Sequence, residues 1–185
     1  MPPSLLSIAN GIDRINAAVG GAAAWCCIFI VLAEFAVVVM RYAFGVGWIG
    51  LQESVLYAHA ALFMLAAAWT LQVGGHVRVD VFYAQAKPRA RALIDLCGAV
   101  AFLIPFAVVL ALVSVPYAAR SWALMESSRE ASGLPIVYLL KSLIPLFAVL
   151  LGLQGLAQAI RAAGVLFGPP TLPSPQAGEG RVGAR

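Results

Sequence analysis

Residues 17–40 read AAVGGAAAWCCIFIVLAEFAVVVM, a run whose single charged side chain is Glu34. A helix needs about 20 mostly apolar residues to cross a hydrocarbon core about 30 Å thick. In lipid every backbone N–H and C=O must be paired within the segment or within a closed barrel. The run is far longer than a barrel strand of about 10 residues, so it predicts a membrane helix. Three more runs of this kind follow, at 52–73, 92–119 and 136–163. The expected fold is an all-α integral membrane protein with four transmembrane helices. The first run exceeds a signal-peptide core of about 7–15 residues, and no basic n-region with a clear small-residue cleavage site frames it. It is expected to be retained.

Composition leads to the same place. Of 185 residues, 62% are hydrophobic and 11% charged, and mean hydropathy is +0.92. A soluble domain of this length could not hide that much apolar surface, which excludes soluble globular, disordered and fibrous classes. The net charge is +4, but the Lys and Arg residues are scattered and form no basic stripe interleaved with aromatics, so nucleic acid is not an expected partner. Membrane lipid headgroups are. Cys26, Cys27 and Cys97 lie in or beside apolar runs and read as small hydrophobes rather than a disulfide framework or metal knuckle.

Counting Lys and Arg between the runs gives orientation. Arg14, Arg78, Lys87, Arg89, Arg91, Arg161, Arg181 and Arg185 fall on one side, and Arg41, Arg120 and Arg129 on the other. The positive-inside rule then puts both termini in the cytoplasm, and in a bacterium the other two loops face the periplasm. Residues 1–167 form the expected four-helix domain and 168–185 a disordered Pro/Gly-rich tail. Gly178, Gly180 and Gly183 spell a glycine fingerprint there, but no strand precedes it and no helix follows, so dinucleotide binding is refused. The third and fourth runs carry Pro105, Pro116 and Pro145, which membrane helices tolerate where neighbours satisfy the freed carbonyls, and the length of the third run predicts tilt or a kink. Ala107/Ala111, Ala148/Gly152 and Gly155/Ala159 place small residues at helical spacing, which reads as close packing within the bundle, with a partner-binding face as the alternative.

Charge inside a membrane costs near 3 kcal/mol at mid-helix on insertion scales. Glu34 sits seven residues before Arg41, about 10 Å below that interface, and Lys141 lies at similar depth on the fourth helix. The two are expected to neutralise each other. The alternatives are Glu34 as a proton or cation carrier and Lys141 snorkelling to the interface. Arg41 ends the first helix and Glu53 opens the second, so an antiparallel hairpin brings them level. They are expected to form a salt bridge beside Trp48, an interfacial anchor, or else to stand as two unrelated interface charges. His59 and His76 are about 25 Å apart along one helix and cannot hold the same haem iron from one chain. From His76 to Asp80, His, Arg and Asp alternate with valines, predicting a short interfacial amphipathic segment between helices 2 and 3, with Val81, Phe82 and Tyr83 as its apolar contact. Arg91 and Asp95 are spaced to pair at the start of the third helix. There is no nucleophile–base, zincin or phosphate-loop motif, so neither an enzyme nor an ATP-driven pump is expected.

Arg41-Tyr42-Ala43-Phe44-Gly45, Trp48, Gln52-Glu53, an Ala-rich second helix and Gly75-His76-Val77-Arg78-Val79-Asp80 together resemble the small integral membrane subunit (Q-type, DctQ-like) of tripartite ATP-independent periplasmic (TRAP) transporters. The match is strongest over residues 41–83, and length, helix count and orientation agree to about residue 167. The resemblance implies a large M-type permease subunit as partner, a periplasmic substrate-binding protein, a sodium gradient as driving force and a small organic acid as cargo. It also implies residence in the bacterial inner membrane and no cofactor. The small subunit would brace the scaffold against which the transport domain moves, with Arg41, Trp48, Glu53, His76, Arg78 and Asp80 as structural and interface residues. Glu34 and Lys141 come from their depth alone. The rival readings are an autonomous proton-coupled antiporter using Glu34 and a haem-type redox anchor.

Overall fold

A computed structural model describes residues 3–77, 83 and 85–168. Arg78, Asp80 and most of the expected interfacial segment lie outside the described residues, as does the tail beyond Gly168. The chain is all-helical: α1 (Pro3–Phe44), α2 (Ile49–Gln72), α3 (Pro88–Gly98), a π-helical turn at Ala99–Leu103, α4 (Ile104–Ala123) and α5 (Val137–Phe167). Since α3, the π-turn and α4 run on as one rod, four helices among the described residues are long and apolar enough to span a membrane.

α1 departs most from expectation. It begins at Pro3, not near Ala17, and its 42 residues measure about 63 Å at 1.5 Å per residue, twice a hydrocarbon core. Residues 4–16 are too polar to read as a membrane run. They stay helical because Ala9, Ile12 and Asn16, spaced i, i+3, i+7, share a face that is buried. Ala9 and Ile12 form the hydrophobic core with Ala157 of α5, flanked by Leu153 and Ile160.

α2 ends in a Schellman motif. Gly74 takes φ +69°, its N–H donates to the Leu71 carbonyl at 3.2 Å, and the Gly75 N–H donates to Thr70 at 2.8 Å, closing carbonyls that a helix end would otherwise leave unpaired. In the third span the expected irregularity is the π-turn just before Pro105. Proline lacks an N–H and its ring crowds the carbonyl four residues back, so the preceding turn widens.

α5 is the hub. It packs against α1, α2, α3 and α4, whereas α4 packs on α5 and its own π-turn. Accordingly, 39% of α5's most apolar stretch is buried, against 6–11% in the other three spans. The small residues line the α4–α5 seam. A methyl on Gly152 would lie 3.2 Å from Ala107 Cβ, and one on Gly155 2.9 Å from Leu103 of the π-turn, so these glycines do pack closely within the bundle. Large apolar side chains such as Phe29, Phe35, Phe102, Phe106 and Leu112 point outward, the surface a bilayer solvates.

Candidate functional site

The polar side chains gather at the two ends of the bundle. At the end carrying the α1–α2 and α4–α5 loops, Glu53 fastens α2 to the second of these loops. Its Oε1 accepts the Ser128 hydroxyl, and its Oε2 accepts the Leu134 backbone N–H at 2.6 Å. α4 closes with Met125 at φ +44°, the Met125 N–H donating to Trp122 and the Glu126 N–H to Ser121, at 3.1 and 3.0 Å. This is again a Schellman closure, but with a non-glycine residue in the left-handed position. The turn aims Glu126 back at the bundle, where its Oε2 accepts the Ser121 hydroxyl at 2.7 Å and the Lys141 ammonium at 2.5 Å. Those two bonds, Lys141's first, hold the Glu126 carboxyl below its ordinary value. Lys141 also stands 4.3 Å from the centre of the Tyr117 ring. Trp122 donates to Ser142 at 2.8 Å and packs on Tyr138 with ring centroids 4.5 Å apart.

At the opposite end α1 meets α5 through polar groups. The Asn16 amide donates to Gln154 Oε1 at 2.7 Å, and Gln154 Nε2 donates to Asp13 at 3.1 Å. Arg161 grips both Asp13 oxygens in a fork and reaches Asn10 at 3.3 Å, the bidentate geometry that makes Arg–carboxylate pairs directional. Gln158 leans on the last turn of α2 at the Leu71 carbonyl. A cleft of about 400 Å³ opens beside this cluster, lined by Gln72, Arg91, Asp95, Gln154, Gln158 and Arg161 among others. Asp95 accepts the Tyr83 hydroxyl at 2.8 Å, and Arg91 donates to the Ala86 carbonyl and lies over the Tyr83 ring.

Several expected pairings are replaced. Lys141 pairs with Glu126, not with Glu34. Glu34 faces outward from α1, while α5 meets α1 through Ala9, Ile12 and Asn16 at the other end, so Glu34 and Lys141 have no shared face. Arg41 is exposed and makes no ion pair among the described residues, because Glu53 turns instead to Ser128 and Leu134. Trp48, half-exposed, precedes α2 and borders Gly50. His76 Nε2 lies 3.3 Å from the Ala67 carbonyl oxygen beyond the end of α2. His59 is exposed on α2. Sequence reasoning missed Asp13, Asn16, Gln154 and Arg161. The signal was present: Asn10, Asp13 and Asn16 recur every third residue, Gln154, Gln158 and Arg161 at i, i+4, i+7, and each set makes one polar helix face. These groups join helices to one another. Among the described residues no three His, Cys, Asp or Glu side chains converge as a metal site would need.

The family model for tripartite ATP-independent periplasmic transporters, DctQ component, matches residues 30–164, well over half of the chain. No curated protein matches, and no solved structure does.

Proposed function

The chain belongs to the DctQ-component family of tripartite ATP-independent periplasmic transporters, and from that membership we propose that it is the small, non-conducting brace of a sodium-driven importer of a small organic acid. Membership makes it a helical integral membrane component of a transport system that also comprises a large permease and a binding protein. The finer assignments are our reading. In it the chain sits in a bacterial inner membrane with both termini in the cytoplasm and a short interfacial segment around His76–Asp80. Substrate and sodium are handled by the M-type permease, and Arg41, Trp48, Glu53, His76, Arg78 and Asp80 stabilise the fold or its contacts.

The observation that carries this reading is what the polar side chains do. Glu53, Glu126, Lys141, Asp13, Asn16, Gln154 and Arg161 bond helix to helix or helix to loop. Such bonds hold relative helix positions, which is what a brace must do while a partner moves against it. A carrier needs its ionisable group inside a passage, whereas Glu34 lies on the outer face of α1, which disfavours the autonomous antiporter.

The test is uptake in proteoliposomes. Reconstituted with its large permease and binding protein under an inward sodium gradient, the chain should support accumulation of a carboxylate substrate. Omitting it should abolish uptake. Solute-dependent proton flux by the isolated chain, lost in Glu34→Gln, would reverse the assignment.

A further inference from the structure

Along the outer surface of α1, Ala24, Cys27, Val31, Glu34, Val38 and Arg41 are all exposed, and they are spaced alternately by three and four residues. That spacing makes a seam along which a neighbouring helix can pack knobs into holes; Gly21, Trp25, Ile28, Leu32 and Phe35 form a second exposed row with the same spacing, so it is the carboxylate that singles out the first. α1 packs on α2 and α5 with its other faces, and no described residue fills the seam. At its centre is a carboxylate about 10 Å inside the level of Arg41. It has no hydrogen bond or salt bridge to any described residue, and its side chain is too short to reach the interface from that depth. A charge left facing hydrocarbon is strongly unfavourable.

We infer that the seam centred on Glu34 is where a transmembrane helix of the large permease packs, presenting a Lys or Arg side chain at the depth of Glu34. The existence of a membrane partner rests on the family reading; the face and the chemistry of its occupant come from this chain. A second copy fits poorly, since two copies inserted the same way would set Glu34 against Glu34 and Arg41 against Arg41. Acyl chains would fill the grooves but leave the carboxylate uncompensated. A helix with a basic side chain does both.

The experiment uses the whole complex in its membrane. A photo-crosslinking residue is placed at Val31 or at Val38, and as a control at Leu32, which is 63% exposed but faces away from the seam. Val31 and Val38 should attach to one transmembrane peptide of the permease with a Lys or Arg within a turn of the attachment point, and Leu32 should not. Glu34→Gln should lower co-purified permease about tenfold or more, Glu34→Asp should retain it, and Glu34→Lys should be rescued by putting Glu at the partner's basic position. Attachment only to lipid, to a second copy, or to a segment lacking a basic residue overturns the inference, and does so with the family reading intact if the permease still co-purifies. Failure of the unsubstituted chain to co-purify with the permease at all would overturn both.

Discussion

Asn16 and Gln154, 138 positions apart, meet through a 2.7 Å hydrogen bond, and each is at most 1% exposed. The bond is the first link of a chain from Asn16 through Gln154 and Asp13 to Arg161 that fixes the register of α1 on α5. Cutting it at Gln154 strands the Asn16 amide in the packed interior. Gln154→Leu should destabilise the fold by about 1–3 kcal/mol, the cost of a buried polar group without its partner. In a double-mutant cycle with Asn16→Ala the coupling should be about 0.6 kcal/mol and no more than about 1.7 kcal/mol, the average and the maximum for polar pairs between membrane helices. Unfolding of the purified chain in mixed micelles measures both.

The contrast between this bond and the Lys141–Glu126 bridge shows which parts of the fold could be read in advance. The four spans were legible because lipid imposes one rule on long apolar runs, and an error of a few residues at an end changes little. The first sixteen residues were not, because their polar face packs on α5 instead of meeting water, so hydropathy gave the wrong cue. Lys141 read as a buried charge in need of a partner, but which partner depended on which elements are neighbours. Glu34 lies in a span and Glu126 in a loop, so depth alone favoured the wrong carboxylate. Glu53 misled in the same way: its level suited Arg41, yet the loop residues it holds are 75 and 81 positions away.

The Glu53 clamp predicts a local effect. Both carboxylate oxygens are engaged, one by the Ser128 hydroxyl and one by the Leu134 amide. An alanine offers neither oxygen and releases both groups. In Glu53→Ala, the Leu134 amide should exchange with deuterium faster while amides in the middle of α5 keep their protection. Equal loss of protection throughout would mean that Glu53 supports the bundle as a whole and not this loop.

Acid should loosen the same loop. The Glu126 carboxyl is held below its ordinary value of 4.5, so folding favours its charged form. Its contribution is therefore complete above the unfolded-state value and is lost as pH falls through the lower folded value. Between pH 7 and 5 the loop should not respond. Below about 4.5 the Lys141 contact should open progressively, read by the fluorescence of Trp122, which packs between Tyr138 and Ser142. Glu126→Gln should flatten that profile.

Met125 carries a positive φ of 44°, a conformation costing a non-glycine residue roughly 1–2 kcal/mol. The backbone bonds around it and the aim of Glu126 need the conformation but not the methionine side chain, which is largely exposed. Met125→Gly should accordingly raise stability, by less than the full strain because glycine also loosens the unfolded chain. Thermal unfolding compared with the parent checks the sign, and a lower midpoint would show that the Met125 side chain makes a contact worth more than the strain.

Two adjacent glycines give a matched comparison of packing between α1 and α2. A Cβ built on Gly20 would stand 2.6 Å from Trp69 Cβ, an atom fixed to the α2 backbone, whereas one built on Gly21 meets nothing within 4 Å. Gly20→Ala must push the two helices apart and should cost about 1–3 kcal/mol, the usual penalty for overpacking. Gly21→Ala, one residue on along the same helix, should raise stability by up to about 1 kcal/mol through helix propensity alone. Since the added atom is identical, the opposite signs isolate the α1–α2 contact from any general intolerance of the segment. Two substitutions that unfold at the same temperature would mean that α1 and α2 do not approach closely at Trp69.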